Sequence, residues 1–213
     1  MGLVLLCCLP VVGAGQEAAV STVSFNFLFE GSQPEHYLIT VPSQGNAHYL
    51  SEAKVSPAGE GDPFRMDFSI SDSVRGRVFD LAKLAHYFST DIDSKKKGLA
   101  STGVKTLTYK DGDKTWQGSY NYSSNTAVQE LTNLFQNLSS TLEFASRLDY
   151  YHRYQKLALD DELKRMEEMA KRDSLEDLAA IAPILQQIAG DASLINPVRT
   201  RAQRLLALAG VEQ

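Results

Sequence analysis

Residues 104–148 read VKTLTYKDGDKTWQGSYNYSSNTAVQELTNLFQNLSSTLEFASRL, and the spacing of their apolar side chains changes partway along. Val104 to Lys110 and Thr115 to Tyr122 flank Asp111-Gly112, which suits a tight hairpin because glycine tolerates a positive φ. In the second arm Trp116, Gly118, Tyr120 and Tyr122 share one face, with Thr115, Gln117, Ser119 and Asn121 opposite, as in a strand. From about Asn125 the beat becomes helical. Val128, Leu131, Phe135, Leu138, Leu142, Ala145 and Leu148 recur at steps that keep one helix face apolar. A hairpin giving way to sustained helix predicts an α+β chain.

Upstream, the period of two dominates. Val23-Ser-Phe25-Asn-Phe27-Leu-Phe29 carries its apolar residues at odd positions, His36 to Val41 continues the pattern, and Phe64 to Ile70 alternates strictly. A short strand is expected around Ala47–Leu50. Between these strands and the hairpin, Val74, Val78, Leu81, Ala85 and Phe88 fall at helical spacing, with Ser71 or Asp72 placed as the cap. An antiparallel sheet with that helix across one face would bury both patterns.

Downstream, no proline occurs between Pro63 and Pro183, and no glycine between Gly118 and Gly190. Asp160-Asp161 either starts a new helix or lies in a continuous one ending near Lys171. Asp173 or Ser174 is expected to cap a further helix, Leu175 to Ala189, that Pro183 kinks or breaks and Gly190 ends. Asn196-Pro197 opens the last helix with proline at its first position. Residues 196–209, NPVRTRAQRLLALA, resemble the second helix of a HEAT repeat in their Val-Arg and Leu-Leu spacing, but one such helix builds no solenoid. The expected division is a signal peptide at 1–14, a sheet-plus-helix unit at 15–124, and a helical segment at 125–213. That segment is a hairpin or small bundle, packed on the sheet or on a partner.

The chain has 213 residues, a formal net charge of −5 and two cysteines, which excludes disulfide scaffolds and argues against a nucleic-acid partner. Gly2 to Ala14, GLVLLCCLPVVGA, is an uncharged apolar run shorter than the ~20 residues a bilayer span needs. It matches a secretory h-region, and Val12-Gly13-Ala14 supplies the small-residue cleavage pattern, although no Lys or Arg precedes it. Export to the periplasm or exterior is expected, leaving a mature chain with no transmembrane span and no cysteine. A lipid anchor through Cys7 or Cys8 is the alternative, weakened because Leu6 and Cys7 stand where small residues would.

Chemistry is sparse. His36, His48, His86 and His152 form no HExxH and no i, i+4 pair, so neither a metal site nor a cofactor motif is predicted. Ser51-Glu-Ala-Lys54 matches S-x-x-K formally, but Ser56-Pro57 and Gly59 argue for a loop where that motif needs a helix. Asp91-Ile-Asp93-Ser94 faces Lys95-Lys96-Lys97, a triplet that repels cations and suits either solvent or an anionic surface such as lipid headgroups or polysaccharide. Asn121-Tyr-Ser123 and Asn137-Leu-Ser139 match the glycosylation sequon. The densest aromatic and cationic cluster is Tyr150, Tyr151, His152 and Tyr154 with Arg147, a candidate ligand or partner contact if it does not simply seal a helix–sheet junction. The expected role is therefore a non-enzymatic exported protein that binds a protein or envelope component, or supports an envelope assembly. The rival is a small-molecule-binding protein or hydrolase-like enzyme whose site assembles only in three dimensions.

Overall fold

Alternating side chains set six strands side by side. A computed structural model of the chain describes residues 20–52 and 63–211. In it β1 (Thr22–Leu28), β2 (His36–Pro42), β3 (Ala47–Glu52), β4 (Phe64–Phe68), β5 (Val104–Asp111) and β6 (Lys114–Tyr120) form one sheet ordered β4-β3-β2-β1-β5-β6. Every neighbouring pair is antiparallel. β1 carries Val23, Phe25 and Phe27 inward and is flanked on both sides, with Phe25 opposite Ile39 and Leu107. The β5–β6 hairpin closes through Gly112-Asp113, with Gly112 at φ 56° as the sequence predicts.

One face of the sheet is covered by α1 (Asp72–Leu84) and α2 (Thr126–Tyr154), which pack side by side. Ser71 caps α1 by accepting from Val74 N–H, and Asn125 caps α2 by accepting from Ala127 and Val128 N–H. α2 has 29 residues, hence a length of about 43 Å, enough to cross the whole sheet. α3 (Leu159–Ala170), α4 (Ala182–Gly190) and α5 (Asn196–Leu208) follow, with α4 and α5 as a hairpin and α3 against α5. Arg201 binds Asp160 and Glu167, and Arg204 binds Glu167, stapling α5 to α3. Burial alone would raise the Glu167 carboxyl, but these arginines outweigh it and hold the group below its usual value. The fold is α+β, and one buried cluster runs from Val23 to Leu206.

Two helix boundaries differ from the sequence pattern. α1 stops at Leu84, because His86, Tyr87 and Phe88 all take positive φ (52°, 53° and 61°). This left-handed turn swings Phe88 into the core, so it keeps the apolar phase without being on the helix. The helix expected from Asp173 or Ser174 does not form; residues 174–177 make a strap, and a 3-10 turn at Leu178–Ile181 leads into α4. Pro183 lies in the first turn of α4, where its missing N–H costs nothing. Tertiary hydrogen bonds replace those of the missing helix. Thr141 Oγ1 donates to Glu176 O at 2.7 Å, and Ser71 N–H donates to Asp177 Oδ2 at 2.8 Å.

The other sheet face is polar. Its cross-strand neighbours Ser24–Thr40, His36–Glu52, His48–Asp67 and Thr106–Ser119 all hydrogen-bond, and none of the four pairs is buried. Among the described residues no helix is long and apolar enough to cross a membrane. Residues 1–14, with Cys7 and Cys8, fall outside the described residues.

Two outcomes follow from this packing. Ile92 lies over Gly118 so closely that a Cβ there would sit 2.7 Å from Ile92 Cγ1. Gly118→Ala should cost about 1–3 kcal/mol of unfolding free energy. Adding Ile92→Ala should make the double variant more stable than the sum of the two single losses predicts, whereas strict additivity would refute the clash. Burial also raises the Asp177 carboxyl, against the lowering pull of the Ser71 hydrogen bonds. A raised folded pKa gives stability that is present below the ordinary carboxylate range and lost as pH rises through the raised value. Asp177→Asn should therefore compare more favourably with the parent at neutral pH than in acid, as urea unfolding at both will show.

Candidate functional site

Gln129, Asn133, Gln136, Ser140, Glu143 and Arg147 step down α2 at intervals of four and three, forming one line about 27 Å long. None of the six is buried, whereas Leu131, Phe135, Leu138 and Leu142 on the adjoining face are. The polar line looks across at three chain segments beside one end of the sheet: the β1–β2 turn, the start of β5 and the end of β6. Two cavities lie between, of about 230 and 280 Å³, and Gln136 lines both. Together they form a two-lobed groove.

Behind Glu143, which lines the lobe near Arg147, lies a layer of buried hydroxyls. Tyr49 OH donates to Glu143 Oε1 at 2.8 Å, Ser51 Oγ donates to the same oxygen at 2.7 Å, and Ser139 Oγ lies 2.9 Å from Tyr49 OH. Burial, then the Glu143 carboxylate, push the Tyr49 phenol well above its ordinary value, so it stays a donor. Arg147 binds Glu162 of α3 and lies over the Phe144 ring at 4.6 Å, and Arg165 of α3 approaches the same ring. Ser32, Gln33 and Pro34 of the β1–β2 turn complete the opposite wall.

The other lobe is organised by Lys105. It occupies an inward position on β5, between Phe27 of β1 and Tyr120 of β6, and is only 5% exposed. Its Nζ donates to Thr102 O, Thr102 Oγ1 and Asn121 O at 3.0, 2.9 and 3.0 Å, with Gly103 O at 3.3 Å. All four acceptors are neutral, and burial lowers the amine below its usual range. Gly103 makes this possible: at φ 89°, a Cβ would come 2.8 Å from both Phe27 and Phe29. Beside Lys105, Thr132 donates its one proton to Val128 O, so Tyr120 must donate to Thr132. Burial holds that phenol above its normal value.

Of the cluster expected at Arg147, Tyr150, Tyr151, His152 and Tyr154, the three tyrosines stay in ring contact, with Tyr150 5.9 Å from Tyr151, while Arg147 and His152 turn to other partners. Arg147 enters the groove. Tyr151 packs partly buried against the core, and His152 reaches Asp191 at 3.0 Å in the α4–α5 connection. Lys156, then Ser193 and His152, hold the Asp191 carboxyl below the usual range. Tyr150 and Tyr154 stay beside each other at 5.2 Å, with Tyr154 70% exposed next to Leu157 at 98%. His36 and His48 share the open sheet face, but register places His48 opposite Thr40, four residues along β2 from His36 and about 13 Å away. Among the described residues no three His, Cys, Asp or Glu side chains are grouped to hold a metal. Ser51 ends a strand, not a helix start, while Ala53 and Lys54 fall outside the described residues. The Asn121 amide is engaged with Thr102 and Ala100.

Lys105 and the α2 line were missed from sequence, and both left signals. Lys105 is in phase with Leu107 and Tyr109, where the strand pattern calls for an apolar residue. Compared with protein-family models, with curated proteins and with solved structures, the chain matches none.

The hydroxyl layer gives a direct test. Glu143→Leu leaves the Tyr49 and Ser51 donors without their acceptor and should cost about 1–3 kcal/mol. Glu143→Gln keeps an acceptor oxygen and should lose less than half as much in denaturant unfolding; equal losses would show that packing, not acceptance, is what Glu143 supplies.

Proposed function

We propose that the chain is an exported, non-enzymatic binding protein that takes a polar, extended ligand of oligosaccharide type into the groove along α2. The observation that carries this is the unburied line from Gln129 to Arg147 facing two adjoining cavities that share Gln136. Amides and hydroxyls pair with the alternating donors and acceptors of sugar hydroxyls. Rings at Phe27, Tyr37, Tyr120 and Phe144 line the same lobes and offer apolar faces to the C–H side of a sugar. A line about 27 Å long matches a chain of several sugar units better than a single small molecule. The apolar run Gly2 to Ala14 supports export, which would bring the groove to envelope polysaccharide.

Two measurements test the reading. Protein recovered from the exporting cell should begin at Gly15 by N-terminal sequencing; an unprocessed Met1 chain held in the cytoplasm would remove the export half. In calorimetric titration against a panel of oligosaccharides, at least one should bind, and Gln136→Leu should weaken it about tenfold without lowering the melting temperature. Binding that ignores Gln136, or a panel without a binder, would overturn the groove half.

A further inference from the structure

The lobe around Lys105 contains a charge that the fold itself does not balance. Its hydrogen-bond partners are three backbone carbonyls and a threonine hydroxyl, and the Phe27 and Tyr120 rings stand 5.8 and 6.0 Å from its Nζ. These groups satisfy the N–H donors but leave the positive charge without an anion, which is costly at a buried site. The staple of residues 102–103 to Asn121 uses the three N–H donors of the ammonium. It offers the positive charge no room for an anion.

The cavity beside it does. The lobe of about 280 Å³ is lined by Lys105 and otherwise by uncharged residues, and it is the size of one sugar ring with its substituents. Among the described residues no protein group engages the side-chain amides of Asn133 and Gln136, which line the same lobe from α2. One buried cation surrounded by neutral donors complements a single negative charge. A phosphate dianion calls for more than one cation or an array of backbone N–H groups. At the mouth, Lys96 lies 5.7 Å above the ring of Tyr122, and Ser94 N–H holds its loop to Tyr122 O at 2.8 Å. Lys95 of that loop is occupied by Asp91. Lys96 thus adds a cation on the approach to Lys105.

We propose that the Lys105 lobe is a carboxylate site, and that the ligand of the groove is an acidic sugar whose carboxylate becomes the counter-ion of Lys105. This rests on the groove reading for the sugar, but on Lys105 and its cavity alone for the carboxylate. Burial lowers the proton affinity of the amine, and an anionic neighbour would raise it. Lys105 is accordingly the spectroscopic reporter.

The experiment uses the full chain with 13C-labelled lysine, titrated separately with sodium glucuronate, glucose and inorganic phosphate. Glucuronate should shift the Lys105 Cε resonance saturably and bind about tenfold or more tightly than glucose, with phosphate weaker than glucuronate. Lys105→Met should abolish that preference. Because this variant removes a loop staple and can fail to fold, Asn133→Asp serves beside it: an exposed helix position receives a charge that repels the ligand. It should weaken glucuronate about tenfold more than it weakens glucose. Equal binding of glucuronate and glucose, a silent Lys105 resonance, or tighter phosphate would overturn the proposal. If neutral oligosaccharides bind the groove while glucuronate leaves Lys105 unmoved, the carboxylate site falls and the groove reading stands. If glucuronate shifts Lys105 and no longer glycan binds, the reverse holds.

Discussion

Phe25 of β1 and Phe135 of α2 stack with centroids 5.2 Å apart and 1° between their planes, and both are fully buried. The contact fastens the middle of the longest helix to a central strand. Everything else is arranged around it. α1 takes one flank of α2, and α3 and α4 pack against other parts of it. Twelve of the 29 residues of α2 are buried, and the six polar residues that border the cavities are among the unburied ones.

Stacking alone would not set the position of α2 along the sheet, since a slide of one helical turn presents a similar apolar surface. The polar contacts beneath it are position-specific. Tyr120 meets Thr132 near its N-terminal end, while Tyr49 and Ser51 meet Ser139 and Glu143 further along. Each would be left buried and unpaired after a slip, at a cost of about 1–3 kcal/mol apiece. Among the described residues no buried side-chain nitrogen or oxygen lacks a partner. The apolar contacts supply attraction and the hydroxyls supply the register, and the register is what aligns the α2 line with the lobes.

Strand periods, the Gly112 hairpin, the Ser71 cap, the onset of α2 near Asn125 and the Asn196-Pro197 start were all legible, because each depends on residues near in sequence. The strap at 174–177 was not, because the Glu176 backbone is satisfied by Thr141 and the Asp177 side chain by Ser71 N–H, which stand 35 and more than 100 positions away. Likewise, His152 stands among Tyr150, Tyr151 and Tyr154 in the chain but turns away from their ring contacts to Asp191, since successive helix residues turn by about 100°. The candidate site was illegible for a different reason. Its line on α2 was visible as spacing, but nothing local reveals which side of a helix faces a cavity rather than solvent. Lys105 could have been singled out as a charge in an apolar phase.

The placement of such exceptions separates the requirements of folding from those of the groove. Around Val78 and Ile39 the core is built of apolar side chains. Around the lobes it contains Lys105 in a strand's inward phase, Ser51 and Ser139 below the surface, Glu143 at the rim, and Gly103 at φ 89° to let the loop close over Phe27. A buried ammonium and a glycine at positive φ each cost stability taken alone, and the hydrogen bonds made around them offset that cost. Scattered through a core, such residues would be tolerated accidents of sequence. Gathered beside the line of about 27 Å that runs from Gln129 to Arg147, they set this side of the molecule apart from the rest of the core.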